Sequence, residues 1–160
     1  MIVWDLDGTL TPYPGNDFRS LYTKYSSLRE EKMASEEAAA LSAEVMVNRL
    51  LNTEKETLIL NLEKSYKRAG PMLILSRNYR LVGEEYLRWL GVIEWFNLEK
   101  SYFRDQFKEK KEVLKKLESE YDSLIYYDDD IGEVKTLTAA SNGRTAINHL
   151  PRWLGDCELE

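Results

Sequence analysis

Ile2-Val3-Trp4-Asp5-Leu6-Asp7-Gly8-Thr9-Leu10 is the stretch on which the reading of this chain turns. Three apolar residues, β-branched and aromatic, run straight into two carboxylates separated by a single leucine. That is the pattern of a short buried strand delivering acidic side chains at its C-terminal end. Thr11-Pro12-Tyr13-Pro14-Gly15 then breaks the chain into a loop.

Residues 17–68 lack Gly and Pro and are rich in Glu, Lys, Leu and Ala. Three helices are expected there. Asn16 or Asp17 would cap the first, Ser35 the second, and a Thr53–Glu56 capping box the third. Leu58, Leu62 and Tyr66 give the third helix one buried stripe, and Gly70-Pro71 ends it. That helix is the expected crossover to the next strand. Residues 16–52 form a short helical insert, either a small cap or an extension of the helical layer.

Beyond Gly70 the alternation becomes regular. Met72 to Leu75 reads as a strand ending at Ser76-Arg77-Asn78, and Val82 to Leu90 as a helix closed by Gly91. A short strand is expected near 97–103, then a helix over 110–118 with Val113, Leu114 and Leu117 inward. Leu124 to Tyr127 is the next strand, ending in Asp128-Asp129-Asp130. A helix to Ala140 capped by Gly143, and a strand from Thr145 to Asn148, complete the pattern. Strands alternating with helices predict an α/β fold. The expected form is a three-layer, Rossmann-like parallel sheet with a short helical insert after the first strand, in one domain over 1–160. In such sheets ligands bind at the carboxyl ends of strands, so the Asp5/Asp7, Ser76/Arg77 and Asp128–Asp130 clusters should meet in one crevice.

Composition narrows the function. The 160 residues carry 22 Lys+Arg against 28 Asp+Glu, a net charge of −6. A nucleic-acid binder needs a basic face for phosphate contacts, so no nucleic-acid partner is expected. Cys157 is the single cysteine, which rules out a disulfide framework and a cysteine metal site. Apolar runs such as Met72–Leu75 fall far short of the ~20 residues of a membrane span, and the apolar start reaches Asp by position 5, which suits no signal peptide. A soluble cytoplasmic protein is expected.

The carboxylates point to chemistry. Two charges 4 Å apart repel by ~4 kcal/mol at an effective dielectric of ~20, so five Asp at two strand ends require a cation or raised pKa values. Oxygen-only donors favour Mg²⁺ over Zn²⁺. A calcium loop fails on spacing, because Gly8 comes too early. Ser76 offers a hydroxyl and Arg77 a backbone N–H to an oxyanion. Lys110 or Lys111 opens a helix and brings one positive charge. Such a set suits attack by Asp on phosphorus, with a second carboxylic acid, Asp7, as proton donor and acceptor.

Asp5-Leu6-Asp7-Gly8-Thr9-Leu10 resembles the first motif of the haloacid dehalogenase superfamily. Ser76 after an apolar strand, a Lys opening a later helix, and an acidic cluster after a further strand resemble its other three motifs, in order. The likeness spans residues 1 to about 150 apart from the helical stretch, and is greatest to the magnesium-dependent phosphatase branch. The resemblance implies Asp5 as nucleophile and metal ligand, and Asp7 as general acid/base with its backbone carbonyl on the metal. It implies Asp129 as a further ligand and Asp128 orienting the Lys or a metal-bound water. Leu6, Gly8, Ser76, Arg77 and Lys110 would hold the phosphoryl group. Lys110 is favoured over Lys111 by its spacing to Val113, Leu114 and Leu117. Glu133 stands where many relatives carry a second Asp, Asp130 extends the acidic cluster, and Tyr13 is placed to touch substrate. His149 receives no role.

The implied activity is a Mg²⁺-dependent phosphatase acting through an aspartyl-phosphate on a phosphorylated small molecule or phosphoprotein. Alternatives are a phosphotransferase or mutase of the same fold, or a non-catalytic Mg²⁺- or phosphate-binding module.

Overall fold

The computed structural model describes residues 1–12 and 36–159. The expected caps at Asn16, Asp17 and Ser35, the first of the three expected helices, and Tyr13 lie outside the described residues. Four strands, β1 (Ile2–Trp4), β2 (Leu73–Ile74), β3 (Leu124–Asp128) and β4 (Thr145–His149), form one sheet. Its order is β2-β1-β3-β4 and every neighbouring pair is parallel. The helices are α1 (Glu36–Asn48), α2 (Asn52–Ala69), α3 (Arg80–Leu90), α4 (Lys110–Glu120) and α5 (Ile131–Ala140). The protein is thus α/β with an all-parallel four-stranded sheet, an architecture compatible with a Rossmann-like fold.

Strand periodicity sorts the core into two layers. Ile2, Trp4, Met72 and Ile74 face one side, where they meet Ala43, Met46 and Val47 of α1, Leu58 and Leu62 of α2, and Tyr86 and Leu87 of α3. Val3, Leu73, Leu75, Leu124 and Tyr126 face the other, against Val113, Leu114 and Leu117 of α4 and Leu137 of α5. Helix α1 packs on α3. Trp4 stacks on Tyr127 of the neighbouring strand at a centroid separation of 4.4 Å.

Three local expectations are corrected. Helix α2 begins two residues before the expected capping box. Leu51 is its N-cap, and its N–H donates to Glu54 Oε1 at 3.0 Å. Thr53 lies within the first turn, where its carbonyl accepts from the Thr57 hydroxyl at 2.8 Å. Helix α5 ends at Ser141 rather than at Gly143. Glu118 gathers that corner by accepting from the Ser141 and Thr145 hydroxyls, and Gly143 turns the chain at φ +86° within the loop. The strand expected near 97–103 is not continuous. Parallel bridges join Met72 to Phe96 and Leu75 to Tyr102. Between them the Ser101 hydroxyl replaces a backbone carbonyl as acceptor for Ile74 N–H, at 2.9 Å, so the chain bulges away from the sheet.

Beyond β4 the chain returns to the first face. Buried Asn61 of α2 holds this segment by donating to the carbonyls of Leu154 (2.9 Å) and Cys157 (2.6 Å) and accepting from Leu159 N–H (3.2 Å). Leu154 N–H in turn bonds the Thr9 carbonyl at 2.8 Å, tying the segment to the loop after β1. Connectivity runs from β1 outward to β2 and then to β3 on the opposite side of β1. That reversal opens a crevice at the carboxyl ends of β1 and β3.

Candidate active site

The crevice is a cavity of about 480 Å³ lined by Asp5, Asp7, Arg77, Lys110, Asp128, Asp129, Asp130, Ile131 and Glu133. Asp5 follows β1 directly and continues its face alternation from Val3, so its carboxylate lies on the α4 side of the sheet. Tyr126 and Asp128 share that face of β3 by the same two-residue period. Lys110, the first residue of α4, is buried among all three. Its Nζ lies 2.8 Å from Asp5 Oδ1, 2.9 Å from Asp128 Oδ2 and 2.9 Å from the Tyr126 hydroxyl. The Tyr126 hydroxyl donates to Asp128 Oδ2 at 2.5 Å. Lys111, by contrast, pairs with Glu109 on the surface.

Burial of this network shifts its protonation equilibria. Desolvation raises Asp5 well above the usual carboxylate range, against the opposing pull of the Lys110 charge. Desolvation would lower Lys110, but Asp5, Tyr126 and Asp128 overcome it and hold the ammonium well above its ordinary value. Asp7 points elsewhere. Its Oδ1 accepts from Asn78 Nδ2 at 3.1 Å, and desolvation pushes its carboxyl up to about 6. Two carboxyls two residues apart therefore sit in different surroundings, one clamped by an ammonium and one held by a neutral amide.

The third acidic position comes from the turn after β3. Asp129 is half-buried, its carboxyl raised by desolvation and by the Asp128 charge, and its Oδ1 accepts from the Thr9 hydroxyl at 3.3 Å. The same hydroxyl lies 3.3 Å from Asp5 Oδ2. Gly8 makes room for this approach. It adopts φ +77°, and a Cβ there would stand 2.3 Å from Asp129 Oδ2. Asp5, Asp128 and Asp129 each bring a carboxylate oxygen within 4.8 Å of the other two. That oxygen-only set fits Mg²⁺.

Other residues singled out from the sequence have different surroundings. Ser76 is fully buried at the end of the β2 segment. Its hydroxyl accepts from Asn78 N–H at 3.0 Å, and it does not line the cavity. Leu6 is a core residue whose carbonyl accepts from the N–H groups of Thr9, Leu10 and Thr11. Gly8 donates its N–H to Thr11 Oγ1 at 3.1 Å. Asp130 lies at the cavity edge and caps α5, accepting from Gly132 and Glu133 N–H. Arg77 and Glu133 face each other at the mouth, 3.2 Å apart.

Four participants escaped the sequence reading. Thr9 and Asn78 hold carboxylates, Tyr126 bridges Lys110 and Asp128, and His149 Nε2 lies 2.9 Å from the Asp129 carbonyl oxygen. Tyr126 carried a usable signal, since it precedes Asp128 by one strand period. The other three depend on tertiary approach. Among the described residues no helix is long and apolar enough to cross a membrane. The chain matches no protein-family model, and none of the curated proteins matches it.

Proposed function

We propose that the protein is a Mg²⁺-dependent phosphohydrolase that works through an aspartyl-phosphate on Asp5. The observation that carries this reading is the pairing of two differently tuned carboxyls. Asp5 is clamped by Lys110 on the cavity wall, and Asp7, with a pKa of about 6, stands two residues away. Two titratable groups in contrasting environments are the arrangement that separates a nucleophile from an acid/base.

In the first half-reaction an Asp5 carboxylate oxygen attacks phosphorus, and the bond from phosphorus to the ester oxygen breaks. The leaving oxygen takes a proton from Asp7. Water, giving a proton back to Asp7, then attacks phosphorus of the acyl phosphate. Inorganic phosphate leaves and the Asp5 carboxylate is restored. Lys110 holds Asp5 in place and offsets charge as a dianion approaches, an effect magnified in a site shielded from water. Ser76, buried outside the cavity lining, would act through Asn78, whose N–H it accepts and whose amide holds Asp7, and Asp128 would keep the ammonium oriented. Asp5, Asp129, Asp128 and the Asp7 carbonyl would hold Mg²⁺, which when bound would supply positive charge to offset that of the phosphoryl oxygens.

The substrate is a phosphate monoester, of a small molecule or of a phosphoprotein, and the protein is a cytoplasmic enzyme. A single domain over 1–160 would carry an insert or small cap after β1, of which α1 is the described part. Support for the insert is that α1 falls between β1 and the crossover helix α2 and adds Ala43, Met46 and Val47 to the core.

The test is hydrolysis of p-nitrophenyl phosphate with and without Mg²⁺, together with borohydride trapping of the acyl phosphate. Turnover should require Mg²⁺, vanish in Asp5→Asn, and leave Asp5 reduced to homoserine after trapping. Undiminished hydrolysis by Asp5→Asn would overturn the proposal.

A further inference from the structure

Six carboxylates line the cavity against two cations, Lys110 and Arg77. Lys110 is buried and fully engaged by Asp5, Asp128 and Tyr126. An anionic ligand entering this space meets strong repulsion, and Arg77 is the lining cation with room to move. Its guanidinium is more than half exposed. Nη2 pairs with Glu133 Oε1 at 3.2 Å, and Nη1 donates to the Lys108 carbonyl at 3.1 Å. The group lies 5.8 Å from the centroid of the Phe107 ring. Arg77 therefore touches both the segment leading into α4 and the start of α5, across the cavity mouth.

We infer that Arg77 is a specificity-determining residue that exchanges Glu133 for the phosphoryl oxygens of the ligand, and that Glu133 competes with the ligand for it. The Arg77 half of the pair is solvated while the Glu133 side chain is only 19% exposed, so water can take up the guanidinium as it leaves Glu133 and the exchange stays modest in cost. Guanidinium–phosphate pairing is charge-assisted and often two-pronged, which favours the exchange once a phosphate is present. Phe107 gives the guanidinium a flat surface over which to turn, and the Lys108 carbonyl keeps one edge anchored. Glu133 thereby keeps weakly anionic compounds out, because only a doubly charged phosphoryl group displaces it effectively. Arg77 acts in binding, so its loss raises KM more than it lowers kcat.

This inference rests on the phosphohydrolase reading, and two readouts separate their fates. Inorganic phosphate is titrated calorimetrically, with Mg²⁺ present, into wild type, Arg77→Ala, Arg77→Lys, Glu133→Gln and the Ala/Gln double variant. Hydrolysis of p-nitrophenyl phosphate is measured on the same proteins. Arg77→Ala should weaken phosphate about tenfold, Arg77→Lys should restore part of that loss, and Glu133→Gln should tighten phosphate several-fold. In the Arg77→Ala background, Glu133→Gln should lose most of its effect. If it tightens phosphate equally with and without Arg77, the effect is bulk charge and the exchange is overturned. Unchanged phosphate affinity in Arg77→Ala overturns it too. Absence of hydrolysis in the wild type, with these phosphate effects intact, removes the hydrolase reading and leaves the Arg77–Glu133 exchange standing.

Discussion

A Cβ placed on Gly8 would stand 2.3 Å from Asp129 Oδ2, so the loop after β1 and the turn after β3 touch where no side chain fits. At φ +77° an L side chain is strained as well. Gly8→Ala should therefore push the Asp129 carboxylate outward while the core stays intact. The expected outcome is a Mg²⁺ affinity at least tenfold weaker, read by calorimetry, with a fall in melting temperature of only a few degrees. An unaltered Mg²⁺ titration would show that Asp129 does not bear on the metal.

Lys110 is buried between Asp5 and Asp128, and its loss leaves two carboxylates in the crevice without their cation. Breaking a buried pair by removing one partner costs ~3–5 kcal/mol. Lys110→Met should unfold at a clearly lower urea midpoint and hydrolyse nothing measurable. Mg²⁺ should recover part of the stability and none of the turnover, since the ammonium is absent in either case. Lys111→Met should resemble wild type in both assays, because Lys111 pairs with Glu109 at the surface.

Asp7 makes stability depend on pH in a predictable direction. Its carboxyl rises from 3.8 to about 6 on folding through desolvation, so between those values the folded state binds more protons than the unfolded one. Stability from this group is complete below pH 3.8 and is lost as pH climbs through 6. The full shift corresponds to about 3 kcal/mol. Metal-free Asp7→Asn should accordingly be more stable than wild type at pH 7.5 and nearly equal to it at pH 4. Thermal melts across that range give the answer, and parallel curves for the two proteins would contradict it.

Mg²⁺ binding should release protons, because desolvation also raises Asp5 and Asp129. Ligating carboxylates must be deprotonated, so affinity grows with pH. The increase in melting temperature at a fixed Mg²⁺ concentration should be larger at pH 7.5 than at pH 5. Equal increases at both would remove these residues from the metal site.

Asn61 makes three hydrogen bonds to the segment that follows β4. Asn61→Ala leaves two carbonyls and one N–H seeking new partners, a loss of about 2–3 kcal/mol. Amide exchange at Leu154 and Leu159 should accelerate more than exchange in β3. Uniform acceleration would mean that the segment does not open by itself.

Fold and site differed in how far they could be read from the residues. Ile2-Val3-Trp4 and Leu124 to Tyr127 announced strands because buried parallel strands are apolar on both faces, and Gly70 and Gly91 announced helix ends. The edge near 97–103 was misread because Ser101 supplies from its side chain the acceptor that a strand supplies from its backbone. The α2 start was misread because Thr53–Glu56 looks like a capping box, while Glu54 reaches Leu51 instead. Asp5, Asp7, Asp128 and Asp129 stood at strand ends and so were visible as a cluster. The choice between Lys110 and Lys111 rested on which one begins the buried face of α4, a matter of helical phase. Thr9 and Asn78 had no such marker, since short polar residues populate turns throughout a chain, and His149 ends β4 without one, so only approach in space distinguishes these.

The sheet register has a kinetic consequence. Ile2 pairs with Ile125 and Val3 with Leu73, so β1 must wait for neighbours far along the chain before it gains a single rung. Loop closure on that scale slows folding, and parallel sheets are slow for this reason. Asp5 and Lys110 meet only after β1 has settled beside β3 and α4 has docked behind them. The Asp5–Lys110 contact in this architecture reports the last long-range closure rather than the first compaction.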